Sequence, residues 1–229
     1  MEYKNFICRE NPFDKSQEIL RGAESTEDIT QVIDLTAGFD TVFEKANKNH
    51  HRKVKTAQKK GVTVTAAEEF RLWERYHRIY CESINRWKKK KNHTGVSYDI
   101  NFFKEIYQVD SKYRKLWLAI VDNEPVAGII CFYWNRHAVV WLGAGLESFF
   151  DYHPNDLVYH NAIKDAAEKG FHWFDCNPSA GLDGVYNFKR SLGAEVLQTN
   201  YINRKSTLRG LAERLRVTLQ NARKDSTHA

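Results

Sequence analysis

The chain has 229 residues, 42% of them apolar and 28% charged, with a formal net charge of +6 and a pI near 9.0. That is apolar material for one substantial core with an appended piece, and too little chain for a second full domain. No apolar run approaches the roughly 20 residues of a membrane span, the opening MEYKNFICRENPFDK lacks a signal-peptide core, and Cys8, Cys81, Cys131 and Cys176 show no CxxC spacing, so the expectation is a cytoplasmic protein with free thiols.

Residues 1–31 are polar and mixed, and the first strand is predicted only at VIDL, 32–35. From 39 to 60, Phe39, Val42, Phe43, Ala46, Val54 and Ala57 recur at helical spacing up to Gly61, predicting one helix with a basic outer face. Val62 and Val64 alternate with threonines as a strand. Thr65 and Glu68 have the spacing of a capping box, so a long helix is expected to begin there. Along it Trp73, Tyr76, Tyr80, Ile84 and Trp87 form a stripe that faces a core or a groove. KKKKNHTG ends that helix, and residues 98–107 predict another, with Phe102, Phe103 and Ile106 inward.

Residues 116–121 and 126–134 are strand candidates joined by Asp122, Asn123, Glu124 and Pro125, which is hairpin chemistry. Asn135 and Arg136 offer a second tight turn into a strand at 138–142. Another short apolar run, 171–174, ends at Asp175. Between these two strands Val158, Ala162, Ile163, Ala166 and Ala167 mark a helix closed by Gly170, which makes a βαβ crossover. Such a crossover leaves a helix N-terminus beside the carboxyl ends of parallel strands, where an anionic group can be held, so the ligand site is expected there. Residues 194–202 supply a last strand. Leu208, Leu211, Ala212, Leu215, Leu219 and Ala222 mark an amphipathic C-terminal helix.

Two dense basic runs, NKNHHRKVKTAQKK at 47–60 and RWKKKK at 86–91, read either as solvated helix faces or as a phosphate-reading surface. Asp175, at a strand end, has three readings: it accepts a proton, orients an amine, or caps the following loop. Cys176 as a nucleophile has no histidine placed beside it by spacing. His77 with Cys81, and His50 with His51, do not complete a zinc ligand set, and no metal is expected.

The order strand, helix, helix, antiparallel hairpin, strand, helix, strand, helix, strand resembles the GNAT acyltransferase fold. Within that superfamily VIDL (32–35), HRKVKTAQKKGV (51–62), VAG (126–128), WLGAG (141–145), FDCNPS (174–179) and NFKRSLGAE (187–195) resemble the FemAB-like branch, over residues 32 to 203. The resemblance implies an α/β protein with a central mixed sheet flanked by helices and a C-terminal amphipathic helix. Residues 1–36 would be an N-terminal extension, as a remnant of a preceding GNAT-like domain, 37–204 the acyltransferase domain, and 205–229 the terminal helix and tail.

FemAB proteins use two tandem domains to move an aminoacyl group from aminoacyl-tRNA to an amine of a peptidoglycan precursor, and single-domain relatives are taken to use acyl-CoA. The chain resembles the second domain. It lacks the Arg/Gln-x-x-Gly-x-Gly/Ala loop with which GNAT enzymes hold a pyrophosphate, and Gly143, Ala144 and Gly145, with a helix beginning near Asn155, stand in its place. The resemblance therefore implies an N-acyltransferase with acyl-CoA or aminoacyl-tRNA as donor, tRNA as a partner in the second case, and a small-molecule or peptide amine as acceptor.

By the same resemblance Lys189 of the Phe188-Lys189 pair stabilises the transferred carbonyl, the alternative being a surface lysine on a short helix. Phe188 packs under the sheet and aims it. Tyr186 and Asn187 would hydrogen-bond the acceptor, Trp141 would form an apolar wall, and Arg52, Lys53, Lys55, Lys59 and Lys60 on the basic helix would contact phosphate. From another functional class, a non-catalytic GNAT-fold module holding RNA or an acidic partner stays open.

Overall fold

The computed structural model describes residues 6–13, 23–89 and 97–204. The chain falls into two compact units, one of residues 30–196 and one drawn from the segments on either side. In the smaller unit β1 (Phe6–Arg9) pairs antiparallel with the 10-residue strand β8 (Glu195–Arg204), Phe6 opposite Arg204 and Arg9 opposite Tyr201, and Arg9 forms an ion pair with Asp28 at 2.8 Å. The predicted C-terminal helix lies outside the described residues.

The larger unit is a mixed sheet. Its order runs from the Thr30–Asp34 end of β2 (Glu24–Asp34) through β7 (Trp173–Asp175), β6 (His137–Gly145), β5 (Glu124–Trp134), β4 (Arg114–Val121) and β3 (Thr63–Ala66). β6 and β7 are parallel and the other neighbouring pairs antiparallel. Two-residue turns form at both predicted reversals, with Asp122 and Asn123 at φ 49° and 65°, and Asn135 and Arg136 at 45° and 62°, while Glu124 and Pro125, expected in the first turn, open β5. Positive φ at both central positions matches the twist of the flanking strands.

Six helices among the described residues cover the sheet: α1 (Phe39–Lys45), α2 (Lys48–Lys59), α3 (Phe70–Lys89), α4 (Ile100–Gln108), α5 (Pro154–Glu168) and α6 (Asp183–Ser191). Strand alternation divides the apolar residues between two faces. Leu116, Leu118 and Ile130 pack with Trp73, Tyr76, Tyr80 and Phe103 of α3 and α4. Ala119, Ile129, Cys131 and Ala138 pack with Leu157, Val158 and Ala162 of α5 and Val54 of α2.

Three local expectations need correction. The helix predicted over 39–60 is two helices, because Ala46 turns to ψ 155° and Asn47 starts the second, its side chain accepting from Asn49 N at 2.8 Å. The capping box at Thr65 does not form; Thr65 belongs to β3, donates its hydroxyl to Ala66 O, and the helix begins at Phe70. β2 starts at Glu24, well before the apolar VIDL, since the polar run ESTED at its beginning is solvent-exposed and carries no alternating pattern.

A ring cluster ties α1 and α5 together: His160 meets Phe43 edge-on at 4.7 Å and Phe39 at 5.1 Å, and its buried Nδ1 has no hydrogen-bond partner. Burial, helped by His50, Lys164 and His51, pulls its pKa from 6.5 to about 4. The imidazole is thus neutral in the fold but protonated in the unfolded chain between those values, so its contribution is complete above pH 6.5 and is lost as pH falls towards 4. Urea unfolding across that window should show a loss of about 1–2 kcal/mol, allowing for screening at the exposed ring edge, that His160→Phe removes. Parallel profiles for the two proteins would contradict this.

Candidate functional site

β6 and β7 pair over three residues, from His137 opposite Trp173 to Val139 opposite Asp175; β7 then ends while β6 runs on to Gly145. Parallel strands that part in this way open a crevice at their carboxyl ends. Asn177 Nδ2 donates to Val140 O at 2.6 Å, continuing the ladder by a side chain where the strand stops.

Asp175 sits at the apex, buried. Thr30 Oγ1 and Asn177 N donate to its Oδ1, the latter at 2.7 Å, and His137 Nε2 lies 3.5 Å from Oδ2. The bond to Asn177 N has the geometry of a loop cap. Gln31 of β2 donates to Tyr186 O at 3.2 Å and accepts from Ser179 Oγ. Lys189, 5% exposed, donates from Nζ to Asn177 O at 2.8 Å and Pro178 O at 2.9 Å. The loop after β7 is therefore fixed from β2 and α6 at once. Cys176 within it is buried, which pushes its thiol up to about 12 and keeps it protonated at neutral pH.

A cavity of about 390 Å³ opens at the carboxyl end of β6, with Gly143, Ala144 and Gly145 along one side. A register shift puts them there. Ile130 pairs with Leu142 but Cys131 with Val140, so Trp141 is the extra residue of a β-bulge. Before the bulge Ala138 and Val140 face α5; after it Leu142 and Ala144 turn to the α3 and α4 side and the two glycines face α5. A Cβ at 145 would lie 3.2 Å from the Asn155 amide nitrogen and 3.3 Å from Ala127 Cβ, and one at 143 would lie 3.5 Å from the Tyr159 hydroxyl. Glycine lets the first turn of α5 settle against the strand.

The opposite wall comes from α3, α5 and α6. Arg86 is held by donation to Gly145 O at 3.1 Å and Ser83 Oγ at 3.0 Å, and its guanidinium lies over the Phe150 ring at 4.9 Å. Trp87, Tyr159, Val185 and Phe188 add apolar surface, Tyr159 and Phe188 meeting edge to face at 5.1 Å. Burial holds the Tyr159 hydroxyl well above its usual pKa, so it stays protonated.

The lining also contains one carboxylate among the described residues, Asp156. Carboxylates in a first helical turn ordinarily turn back towards the free N–H groups, but no side-chain cap bond forms at this helix start. Instead His50 Nδ1 lies 3.0 Å from Asp156 Oδ1, both side chains almost fully buried, and Lys53 Nζ lies 3.8 Å from Oδ2. With a carboxylate as acceptor, the imidazole donates from Nδ1–H.

Of the residues singled out from sequence, Gly143, Ala144, Gly145, Asn155 and Phe188 meet in this cavity. Lys189 and Asp175 lie in the buried network beside it. Trp141 packs instead against Tyr98 at 5.1 Å and Phe102 at 5.7 Å. Tyr186 is present through its backbone carbonyl. Asn187 is exposed in a separate hollow with Asn47, Asn49 and Arg190, and Arg52 is exposed, donating to Asn49 Oδ1 at 2.7 Å. Sequence reasoning missed Ser83, Arg86 and Asp156, and named Lys53 without separating it from the other basic residues of α2. The buried positions His50, Val54 and Ala57 fix the phase of α2 and place Lys53 beside them, a signal that was present in the spacing.

Residues 44–190 match the sequence model of the acetyltransferase (GNAT) domain. No curated protein sequence matches the chain. Among solved structures, FemX shares the fold with a TM-score of 0.62 at 13% identity, covering 85% of this chain and 65% of that one. The C-terminal domain of an Agrobacterium fabrum protein described as a lysylphosphatidylglycerol synthetase gives 0.57 at 12% identity, covering 83% of this chain and 64% of the other. L-PGS from Bacillus licheniformis gives 0.55 at 15% identity, with 88% and 68% covered. The chain thus spans about two thirds of the length of these neighbours, and the likeness concerns the fold. Among the described residues no helix is long and apolar enough to cross a membrane.

Proposed function

For a chain that belongs to the acetyltransferase (GNAT) domain family, we propose an N-acyltransferase that moves an acyl group from a coenzyme A thioester to an amine, in the cavity at the carboxyl end of β6. The observation that carries this reading is the parting of β6 from β7 beside the start of α5, with Gly143, Gly145 and Phe188 on one cavity. A thin acyl-bearing arm suits a cavity whose strand side is the backbone of Gly143 to Gly145 and whose other walls are largely apolar. In the reaction the amine nitrogen bonds the donor carbonyl carbon and the bond from that carbon to sulfur breaks. The departing thiolate takes one of the two protons lost by the ammonium, and solvent takes the other. The cavity's contribution is to hold the two reactants in attack geometry.

Arg86, fixed by three contacts, supplies positive charge near the donor's anionic groups. Lys189 and Asp175 serve in this reading as positioning residues: they fix the loop after β7 and the helix that presents Phe188 to the cavity. Aminoacyl-tRNA is the second donor reading, favoured by the fold likeness to FemX and L-PGS together with the basic outer face of α2.

Incubation with acetyl-CoA or charged tRNA, each with a panel of primary amines, separates them. The first reading expects free thiol released in step with acylated amine seen by mass spectrometry, at a rate that falls little with salt. Loss of the aminoacyl ester, with a steep salt dependence from displaced counterions, would replace it by the second. Neither product would remove the catalytic assignment.

A further inference from the structure

We propose that Asp156 is the subsite for the acceptor's ammonium group, that His50 is the residue that positions it, and that Lys53 holds the place of that ammonium until the acceptor displaces it. This rests on the acyl-transfer reading for the identity of the amine as acceptor.

Three observations combine. Asp156 is 4% exposed yet belongs to the cavity lining, so a charge has been kept in a place where a carboxylate without a partner is costly. Its Oδ1 is taken by His50, also buried, which fixes the carboxylate plane and leaves Oδ2 as the atom that meets cations. At Oδ2 stands the Lys53 ammonium, at 3.8 Å rather than a tight hydrogen-bond distance, on a side chain 28% exposed. A loose contact on a flexible four-carbon stem with an open way to water is easily exchanged.

The rest of the lining sets the class of ligand. Trp87, Phe150, Tyr159 and Phe188 give apolar surface next to the carboxylate. A primary alkylammonium, with an apolar stem of several carbons behind the charged head, satisfies both. The acceptor class is therefore a primary aliphatic amine entering as a cation, with its stem along the aromatic wall. The basic neighbourhood of Arg86 belongs to the donor side of the same cavity, so the two charges of the site attract different reactants.

Calorimetric titration with n-hexylammonium chloride, and with 1-hexanol as the uncharged match, tests this on the whole chain. The wild type should bind the ammonium, and Asp156→Asn should weaken that binding about tenfold or more while leaving hexanol unchanged. Lys53→Met keeps the stem and removes the competing charge, so it should tighten hexylammonium binding by about three- to tenfold, because the subsite is then always vacant. A purely structural tether between α2 and α5 predicts no tightening. The proposal falls if the wild type binds hexylammonium no better than hexanol, or if Lys53→Met leaves the affinity unchanged or weaker. The latter measurement decides even if Asp156→Asn does not fold. Acyl transfer measured separately keeps the two readings apart: the binding pattern without transfer overturns the enzyme and not the subsite, and transfer without the pattern does the reverse.

Discussion

Gly128→Ala should lower the thermal midpoint by roughly 4–12 °C, from about 2–3 kcal/mol of overpacking at 2–4 °C per kcal/mol for a chain of this size. Gly128 lies in the middle of β5, opposite Leu118 of β4 and Ala144 of β6. A Cβ there would stand 2.6 Å from Trp117 O, 2.8 Å from Leu118 Cδ2 and 3.0 Å from Tyr76 Cδ2. The Leu118 methyl can rotate away, but the carbonyl belongs to the neighbouring strand and Tyr76 of α3 is fully buried. Relief must come from moving β4 or lifting α3, and either opens the core on that face. The strain lies beside Ala144, so binding at Gly143 to Gly145 should weaken as well. A variant melting within about 2 °C of the parent would show that the strands relax without cost.

Replacing Lys189 by Met should also cost about 2–4 kcal/mol, because it withdraws a buried ammonium from two carbonyls, Asn177 O and Pro178 O. A carbonyl-stabilising lysine would give a different result: turnover would collapse while melting and loop order held. Acting through the loop instead, Lys189→Met is expected to lower the thermal midpoint by roughly 5–15 °C and to speed proteolysis between residues 176 and 182. In assays well below the midpoint it should raise KM more than it lowers kcat. Wild-type melting and proteolysis combined with a kcat loss of about a hundredfold would assign the lysine to the chemistry.

Much of the fold was legible because its signals are local. The turn pairs Asp122-Asn123 and Asn135-Arg136 need only residues that tolerate positive φ, and Gly170 ends α5 with its φ of 76°. The run VAGIICFYW could only be a buried strand, and the apolar spacing between two such strands gave the crossover helix. Breaks in that locality produced the errors. Asn47 caps a second helix with a single side-chain bond, which leaves the apolar periodicity of 39–60 nearly undisturbed. The start of β2 is stabilised by its ladder and not by an apolar face, so its polar residues read as loop.

The sequence by itself determined the order of elements and the parallel pairing of β6 and β7 through a crossover, and it pointed to the strand end where the candidate cavity lies, since strand and helix periods act over a few residues. Tertiary structure alone decided which side chains reach the cavity. A bulge at Trp141 brings Gly143 and Gly145 beneath α5, while that ring stays on the α3 and α4 side. His50 and Asp156 meet across 106 residues. A one-residue bulge and a long-range buried pair are settled by packing against neighbours distant in the chain, and such contacts leave no pattern in the local sequence.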